Sequence, residues 1–121
     1  MLLCRGIKKE FSSRPDIRIC VKIIRYVEVL EKSHKYVIAR QLLKAGTSIG
    51  ANVREAQNAE SKVDFIHKLK IAAKEADETE YWLLLCKEAG YENCDELLNA
   101  CGSIIKVLSK IIATSKLKPI N

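Results

Sequence analysis

Apolar and polar residues alternate at the helical period of 3.6 over four stretches of the chain, and short polar segments separate these stretches. We predict helices over residues 16–30, 36–56, 62–88 and 95–115, joined by turns at 31–35, 57–60 and 89–92. Short connections between helices favour antiparallel neighbours. The pattern therefore predicts an all-α protein, an antiparallel up-down-up-down four-helix bundle over 13–115. Residues 1–12 form an N-terminal extension and residues 116–121 a C-terminal tail.

Three of the predicted helices begin with residues that are typical of helix N-caps. In each case a Ser or Asn is followed three positions later by an acidic residue, which is the pattern of a capping box. The three segments are Ser13–Asp16, Ser61–Asp64 and Asn93–Glu96. These signals place the starts of the first, third and fourth helices.

The second helix is unusual because it carries few large side chains. In the segment QLLKAGTSIGANVREA, residues 41–56, only Ile49 and Val53 are large and apolar after Ala45. A helix of this kind packs through close approach of a neighbouring backbone, which the spacing of Gly46 and Gly50 permits. Polar side chains of the same helix then need hydrogen-bond partners at the contact with the neighbouring helix.

The other three helices carry more apolar surface than a single bundle can bury. The first helix is apolar at ten of its fifteen predicted positions. The predicted core faces are Ile66, Leu69, Ala73, Ala76, Leu83 and Leu84 on the third helix, and Leu97, Cys101, Ile104, Leu108 and Ile111 on the fourth. A second line on the third helix runs through Ile71, Glu75, Glu78, Trp82 and Leu85. Leaving such stripes exposed favours aggregation, so we expect a homo-oligomer.

Composition narrows the class of protein. The chain has 121 residues, of which 48% are hydrophobic and 30% charged, as in an ordinary globular domain. The N-terminal apolar run is too short for a signal peptide, and no run approaches the roughly 18 apolar residues of a membrane helix. We therefore expect a cytoplasmic protein with no membrane partner.

The five cysteines include no C-x-x-C pair, which favours reduced packing cysteines over a metal or redox site.

The formal charge of +6 lies in the first half of the chain. Residues 1–60 hold 12 Lys and Arg against 6 Asp and Glu, whereas residues 61–121 hold 9 against 9. An acidic partner is therefore expected to contact the first two helices.

Two motifs resemble those of a known bacterial family. The motif S-I-x-x-N-x-x-E falls on Ser48, Ile49, Asn52 and Glu55. The motif K-E-A-x-E-T-x-Y-W falls on residues 74–82. Together they resemble the four-helix-bundle family named for proteins encoded in intervening sequences of large-subunit ribosomal RNA genes, also labelled S23-type ribosomal proteins. The resemblance extends over about 17–117. Many members end the first motif with Glu-Gly, whereas this chain has Glu55-Ala56.

The resemblance implies an assembly and a class of partner. Members of the family form homopentameric barrels, so it implies a homo-oligomeric ring, with a pentamer favoured. A related branch serves as an accessory protein to reverse transcriptases of diversity-generating retroelements. It binds nucleic acid and the enzyme. The resemblance therefore implies RNA or DNA, or a protein such as a reverse transcriptase, as partners. It implies no catalytic activity and no cofactor.

Basic residues of the first two helices are the candidate nucleic-acid contacts. They are Arg14, Arg18, Lys22, Arg25, Arg40, Lys44 and Arg54. Each phosphate that such residues neutralise makes binding more dependent on salt. The few aromatic residues are dispersed, so recognition of backbone and shape is favoured over base stacking. The alternatives are an ordinary solvated face, and a protein-interaction scaffold that binds no nucleic acid.

Polar residues of the second and third helices are candidates for a polar core network, which would fix the register of the bundle. They are Ser48, Asn52, Glu55, Glu75 and Glu78. A di-iron site is not expected, because such sites use a Glu-x-x-His pair from each of two helices, and the one such pair in the sequence, Glu31 and His34, lies in a predicted turn. Catalysis by Ser48 is not expected either, since no histidine is placed to activate it. We predict a non-enzymatic protein without a metal site.

Overall fold

The computed structural model describes residues 15–117, which form four α-helices and no strand. The helices are α1 (Pro15–Lys32), α2 (Tyr36–Gln57), α3 (Lys62–Glu88) and α4 (Asp95–Leu117). Consecutive helices pack closely, and α4 returns to a less extensive contact with α1. Each helix thus lies between two others, with α1 and α3 at opposite corners. The predicted all-α four-helix bundle is confirmed, and the predicted bounds of α3 agree with the structure at both ends.

The helix starts follow the predicted caps in part. The Ser61 hydroxyl accepts a hydrogen bond from the Asp64 backbone N–H at 3.0 Å, as a capping box requires. At α4 the prediction is wrong, because Asn93 adopts a left-handed conformation with φ of 66° and Cys94 directly precedes the helix. The proposed cap at Ser13 lies outside the described residues.

The core line of α3 differs from the one that the sequence predicts. The buried residues are Phe65, Leu69, Ala72, Ala76, Thr79, Leu83 and Cys86, in alternating steps of four and three. Leu84, which we placed in the core, is 45% exposed, and Ile66 and Ala73 are only half-buried. Thr79 explains the difference: its hydroxyl donates to the Glu75 carbonyl at 2.7 Å, so a polar residue occupies the core without an unpaired donor.

The core line of α4 agrees with the prediction. Leu97, Cys101, Ile104 and Leu108 are buried, and Ile111 is half-buried beside them. By length and composition α4 also has the character of a membrane span. Its buried seam, however, packs into the helical core, as the amphipathic pattern predicts.

The closest packing in the bundle joins α1 to α2 at the two glycines. A Cβ atom built on Gly46 would lie 2.7 Å from Cγ2 of Ile23, and one built on Gly50 would lie 2.9 Å from Sγ of Cys20. The Cys20 thiol also donates to the Gly46 carbonyl at 3.2 Å. Small residues on α2 therefore set the distance between the two helices, as the sequence predicts.

Gly46→Ala should lower the free energy of unfolding by about 1–3 kcal/mol, because the added Cβ atom would lie 2.7 Å from Cγ2 and 3.1 Å from Cβ of the fully buried Ile23, which must shift to accommodate it. Chemical denaturation followed by circular dichroism measures this change. Gly102→Ala is the matched control. It lies inside α4 with nothing within 4 Å of the added Cβ atom, and should raise stability by about 0.5–1 kcal/mol. Equal effects at the two glycines would contradict the close-packing interpretation.

Candidate functional site

The seven basic candidates separate into groups in the structure. Arg14 lies outside the described residues. Arg18 and Lys22 line a groove of about 210 Å³ between α1 and α4, opposite Ser103 and Val107. Lys22 Nζ lies 3.0 Å from Glu96 Oε1, so a carboxylate of α4 already balances this charge. The α1–α4 side of the bundle therefore offers less positive charge to a partner than the sequence indicates.

Three guanidinium groups, those of Arg25, Arg40 and Arg54, are exposed and form no ion pair with another described residue. Arg40 and Arg54 lie on one line of α2, two heptads apart, which corresponds to about 21 Å along a helix at 1.5 Å per residue. Lys44 lies on the same helix but close enough to Glu75 to influence its ionisation. These three arginines are thus the most available cations among the candidates.

Exposed apolar residues of α1 lie beside these arginines. Ile17, Val21 and Ile24 are 37–41% exposed. They are spaced by four and three residues and so form one line along α1, which ends at Glu28. Between this line and α2 lies a groove of about 270 Å³, to which Ile17, Val21 and Arg54 contribute. We call Ile17, Val21, Ile24, Arg25, Leu43 and Arg54 the basic–apolar face. The sequence predicted the charges and the surplus apolar residues, but not that they share one surface.

A second exposed apolar surface lies on α3. Tyr81, Leu84 and Leu85 are 40–53% exposed, and Asp77 and Glu78 lie on the same side of the helix. We call these five residues the acidic–apolar face. Trp82 lies next to it, half-buried, with its ring edge-to-face against Tyr81. The buried Nε1–H of Trp82 finds no hydrogen-bond partner among the described residues.

The candidate polar network does not lie in the core of the single chain. Ser48 Oγ donates to the Lys44 carbonyl at 2.7 Å, and Asn52 Nδ2 donates to the Ser48 carbonyl at 2.9 Å, so both bond to their own helix. Glu55 pairs with Lys68 of α3 at 3.3 Å. Glu78 is exposed. A core network that joins these residues of α2 and α3 stays a prediction.

The surroundings of Glu75 perturb the ionisation of its carboxyl. Burial raises the pKa of its carboxyl above the ordinary value of 4.5, and the negative charge of Glu78 raises that pKa further. The positive charges of Lys44 and Lys74 oppose this rise in pKa. Folding therefore disfavours ionisation of the Glu75 carboxyl.

The thiols behave as packing groups. Burial raises the pKa of Cys86 to about 11 and that of Cys101 to about 12, so both stay protonated at neutral pH. Cys94 Sγ lies 3.0 Å from the buried Tyr26 hydroxyl, at the end of the bundle where Lys35 stacks over the Tyr91 ring. Within residues 15–117, no group of three or more His, Cys, Asp and Glu side chains is placed to hold a metal ion.

Comparison with known proteins agrees with this fold. Residues 16–113 match the sequence profile of the family described as 23S rRNA-intervening sequence protein. A crystal structure of a protein with unknown function from the S23 ribosomal protein family of Bacteroides thetaiotaomicron is similar, with a TM-score of 0.79 and 40% sequence identity. The similarity covers 88% of this chain and 97% of that one. Among functionally curated proteins, none is significantly similar to this chain.

Glu75→Gln should raise stability at pH 7, and the gain should vanish on acidification. The raised pKa means that the folded state binds the Glu75 proton more tightly than the unfolded state, so ionisation at neutral pH disfavours folding. As the pH falls through that raised pKa towards 4.5, wild type becomes neutral at this position and loses the disadvantage. Denaturation at several pH values measures the difference between the two proteins.

Glu60→Gln, in the exposed turn before α3, is the control for this change. Its stability should stay close to that of wild type across the same pH range. A Glu75→Gln gain that grew as the pH fell would contradict the assignment.

Proposed function

The chain belongs to the 23S rRNA-intervening sequence protein family, and from this premise we propose that it is a non-enzymatic accessory protein that binds structured RNA or DNA as a homo-oligomer. The observation that carries the proposal is the set of exposed guanidinium groups of Arg25, Arg40 and Arg54, which form no ion pair with another described residue. Unpaired guanidinium groups suit the geometry of phosphate oxygens.

The mode of binding follows from what surrounds the arginines. The outer line of α2 between Arg40 and Arg54 passes through Thr47 and Ala51, which are small and carry no aromatic ring. Single-strand binding relies on stacking of bases on aromatic side chains, which this line does not supply. Contact with phosphates of a folded RNA or of duplex DNA is therefore the recognition that the surface supports. The family name, which refers to an intervening sequence of 23S rRNA, is consistent with such a partner.

The proposal that the protein is not an enzyme rests on the state of its nucleophiles. The Ser48 hydroxyl donates to a backbone carbonyl of its own helix. Burial keeps the Cys86 and Cys101 thiols protonated, because it raises their pKa values well above neutrality. These groups are therefore held in unreactive forms.

A homo-oligomer would present several copies of the same small basic surface to one nucleic acid. Each copy supplies the same arginines, so several copies on one nucleic acid convert weak contacts into strong overall binding. A ring of five copies is the form that the family resemblance implies. A protein-interaction scaffold is the second candidate, and the observation that favours it is the exposure of Tyr81, Leu84 and Leu85 on the acidic–apolar face.

Binding to an RNA hairpin and to duplex DNA should weaken steeply between about 50 and 200 mM salt, since phosphate neutralisation releases counterions. Arg40→Ala should weaken binding and lower the slope of log K against log salt by about 0.9 for each phosphate that the variant no longer neutralises. The measurement is a salt titration of nuclease-treated protein by fluorescence anisotropy.

Lys106→Ala removes one positive charge from the exposed side of α4 and is the matched control. It should bind like wild type. The nucleic-acid proposal fails if wild type does not bind at low salt, or if Arg40→Ala and Lys106→Ala have equal effects. Absence of binding at low salt would favour the scaffold.

A further inference from the structure

Two buried thiols and a tyrosine hydroxyl meet at the end of the bundle where α3 turns into α4. Cys94 Sγ lies 3.0 Å from the hydroxyl oxygen of Tyr26, which belongs to α1. The same hydroxyl forms a hydrogen bond with the thiol of Cys86, in the last turn of α3. Cys86 and Cys94 are 1% and 3% exposed. Both sulfur atoms therefore lie within hydrogen-bond reach of one oxygen atom in the core.

The turn between α3 and α4 brings the two cysteines together, although they are eight positions apart in the chain. Gly90, with φ of 86°, reverses the chain after α3, and the Tyr91 backbone N–H then donates to the Cys86 carbonyl at 2.9 Å. The Cys94 thiol in turn donates to the Tyr91 carbonyl at 3.4 Å. Hydrogen bonds through Tyr91 thus link Cys86 to Cys94, so the conformation of the turn sets their proximity.

A groove leads from solvent to this cluster. Its volume is about 430 Å³, and it lies between the two turns at this end of the bundle. Tyr26 lines the groove, and so does the segment 89–93, which directly precedes Cys94. The two sulfur atoms are too deeply buried for a bulky oxidant, such as another protein or glutathione disulfide. Hydrogen peroxide is close to water in size, so the groove suits a small hydroperoxide.

We propose that Cys86 and Cys94 are a site of oxidation, at which hydrogen peroxide joins them in a disulfide that ties the end of α3 to the start of α4. The other described thiols lie elsewhere. Cys20 donates to the Gly46 carbonyl at the contact between α1 and α2, and Cys101 shows no interaction with another thiol of the described chain. The proposal does not depend on nucleic-acid binding.

The reaction is a two-electron oxidation of the two thiols by one peroxide. The Cys94 sulfur loses its proton and attacks one oxygen of hydrogen peroxide, whose O–O bond breaks. The leaving hydroxide takes up that proton, which gives a sulfenic acid and one water. The Cys86 sulfur then loses its proton and displaces hydroxide from the Cys94 sulfur. The S–S bond forms and a second water leaves.

The order of the two steps follows from the position of each thiol. Cys94 comes first, because the segment that lines the groove ends at this residue. Cys86 is the more deeply buried of the two, and burial raises the pKa of its thiol to about 11. It is therefore the thiol that resolves the sulfenic acid. Without an oxidant, both residues act as the packing groups described above.

The test is peptide mapping of the full chain after treatment with hydrogen peroxide, followed by blocking of free thiols with iodoacetamide. Trypsin cleaves after Lys87 and separates Cys86 from Cys94. A glutamate-specific protease cleaves after Glu96 and separates Cys94 from Cys101. The expected product is a Cys86–Cys94 disulfide that dithiothreitol reverses.

The Cys94–Cys101 pair is the internal control, because its seven-position spacing is close to the eight positions between Cys86 and Cys94. Protein oxidised in denaturant should form both disulfides in similar amounts, since only chain spacing then governs pairing. The native protein should form the Cys86–Cys94 disulfide in clear excess. Equal ratios of the two disulfides in native and denatured protein would overturn the proposal.

A pair of variants tests the order of the steps. Cys86→Ala removes the resolving thiol, so Cys94 should accumulate as a sulfenic acid that dimedone traps. Cys101→Ala, the control at another buried cysteine, should form the Cys86–Cys94 disulfide like wild type. Circular dichroism checks the fold of each variant, and Cys86→Ser replaces Cys86→Ala if that chain does not fold. The proposal is overturned if folded wild type forms no Cys86–Cys94 disulfide, or if dimedone finds no sulfenic acid at Cys94 in the folded variant.

Discussion

The structure depends on the close contact between α1 and α2 at Gly46 and Gly50. Ile23 lies fully buried against the Gly46 backbone, and the Cys20 thiol occupies the space that a side chain at Gly50 would need. Because α2 contributes little volume on this side, α1 supplies the apolar side chains of the contact and carries an excess of them. Its inner residues fill the core, and Ile17, Val21 and Ile24 remain on the outside. The contact with α2 thus fixes which side of α1 faces the core and which of its apolar residues stay exposed.

Much of the fold could be predicted from the sequence because it depends on local signals. The Ser61 cap and the alternation of Leu97, Cys101, Ile104 and Leu108 are visible in the chain, and the structure agrees with both. The core of α3 was harder to predict, since a buried Thr79 interrupts the apolar pattern and shifts the apparent face towards Leu84. A hydroxyl that bonds within its own helix costs little, but no sequence period reveals this bond.

The candidate site was predicted less well, because its properties arise from contacts between distant segments. The basic residues could be counted, but the pairing of Lys22 with Glu96 joins residues 74 positions apart and balances one of these charges. The neighbourhood of Arg54 and Val21 likewise depends on the packing of α1 on α2. Helical spacing shows which residues share a face of one helix, whereas the combined surface of two helices follows only from their packing.

The position of Trp82 gives the protein a natural optical probe. It is the only tryptophan of the chain, it contacts Tyr81 of the acidic–apolar face, and its indole N–H is buried at the edge of the bundle. Indole emission responds to the polarity of its surroundings, so the wavelength of this single emitter reports on the part of α3 around Trp82, where the acidic–apolar face meets the core. Events at this surface can therefore be followed in the unlabelled protein.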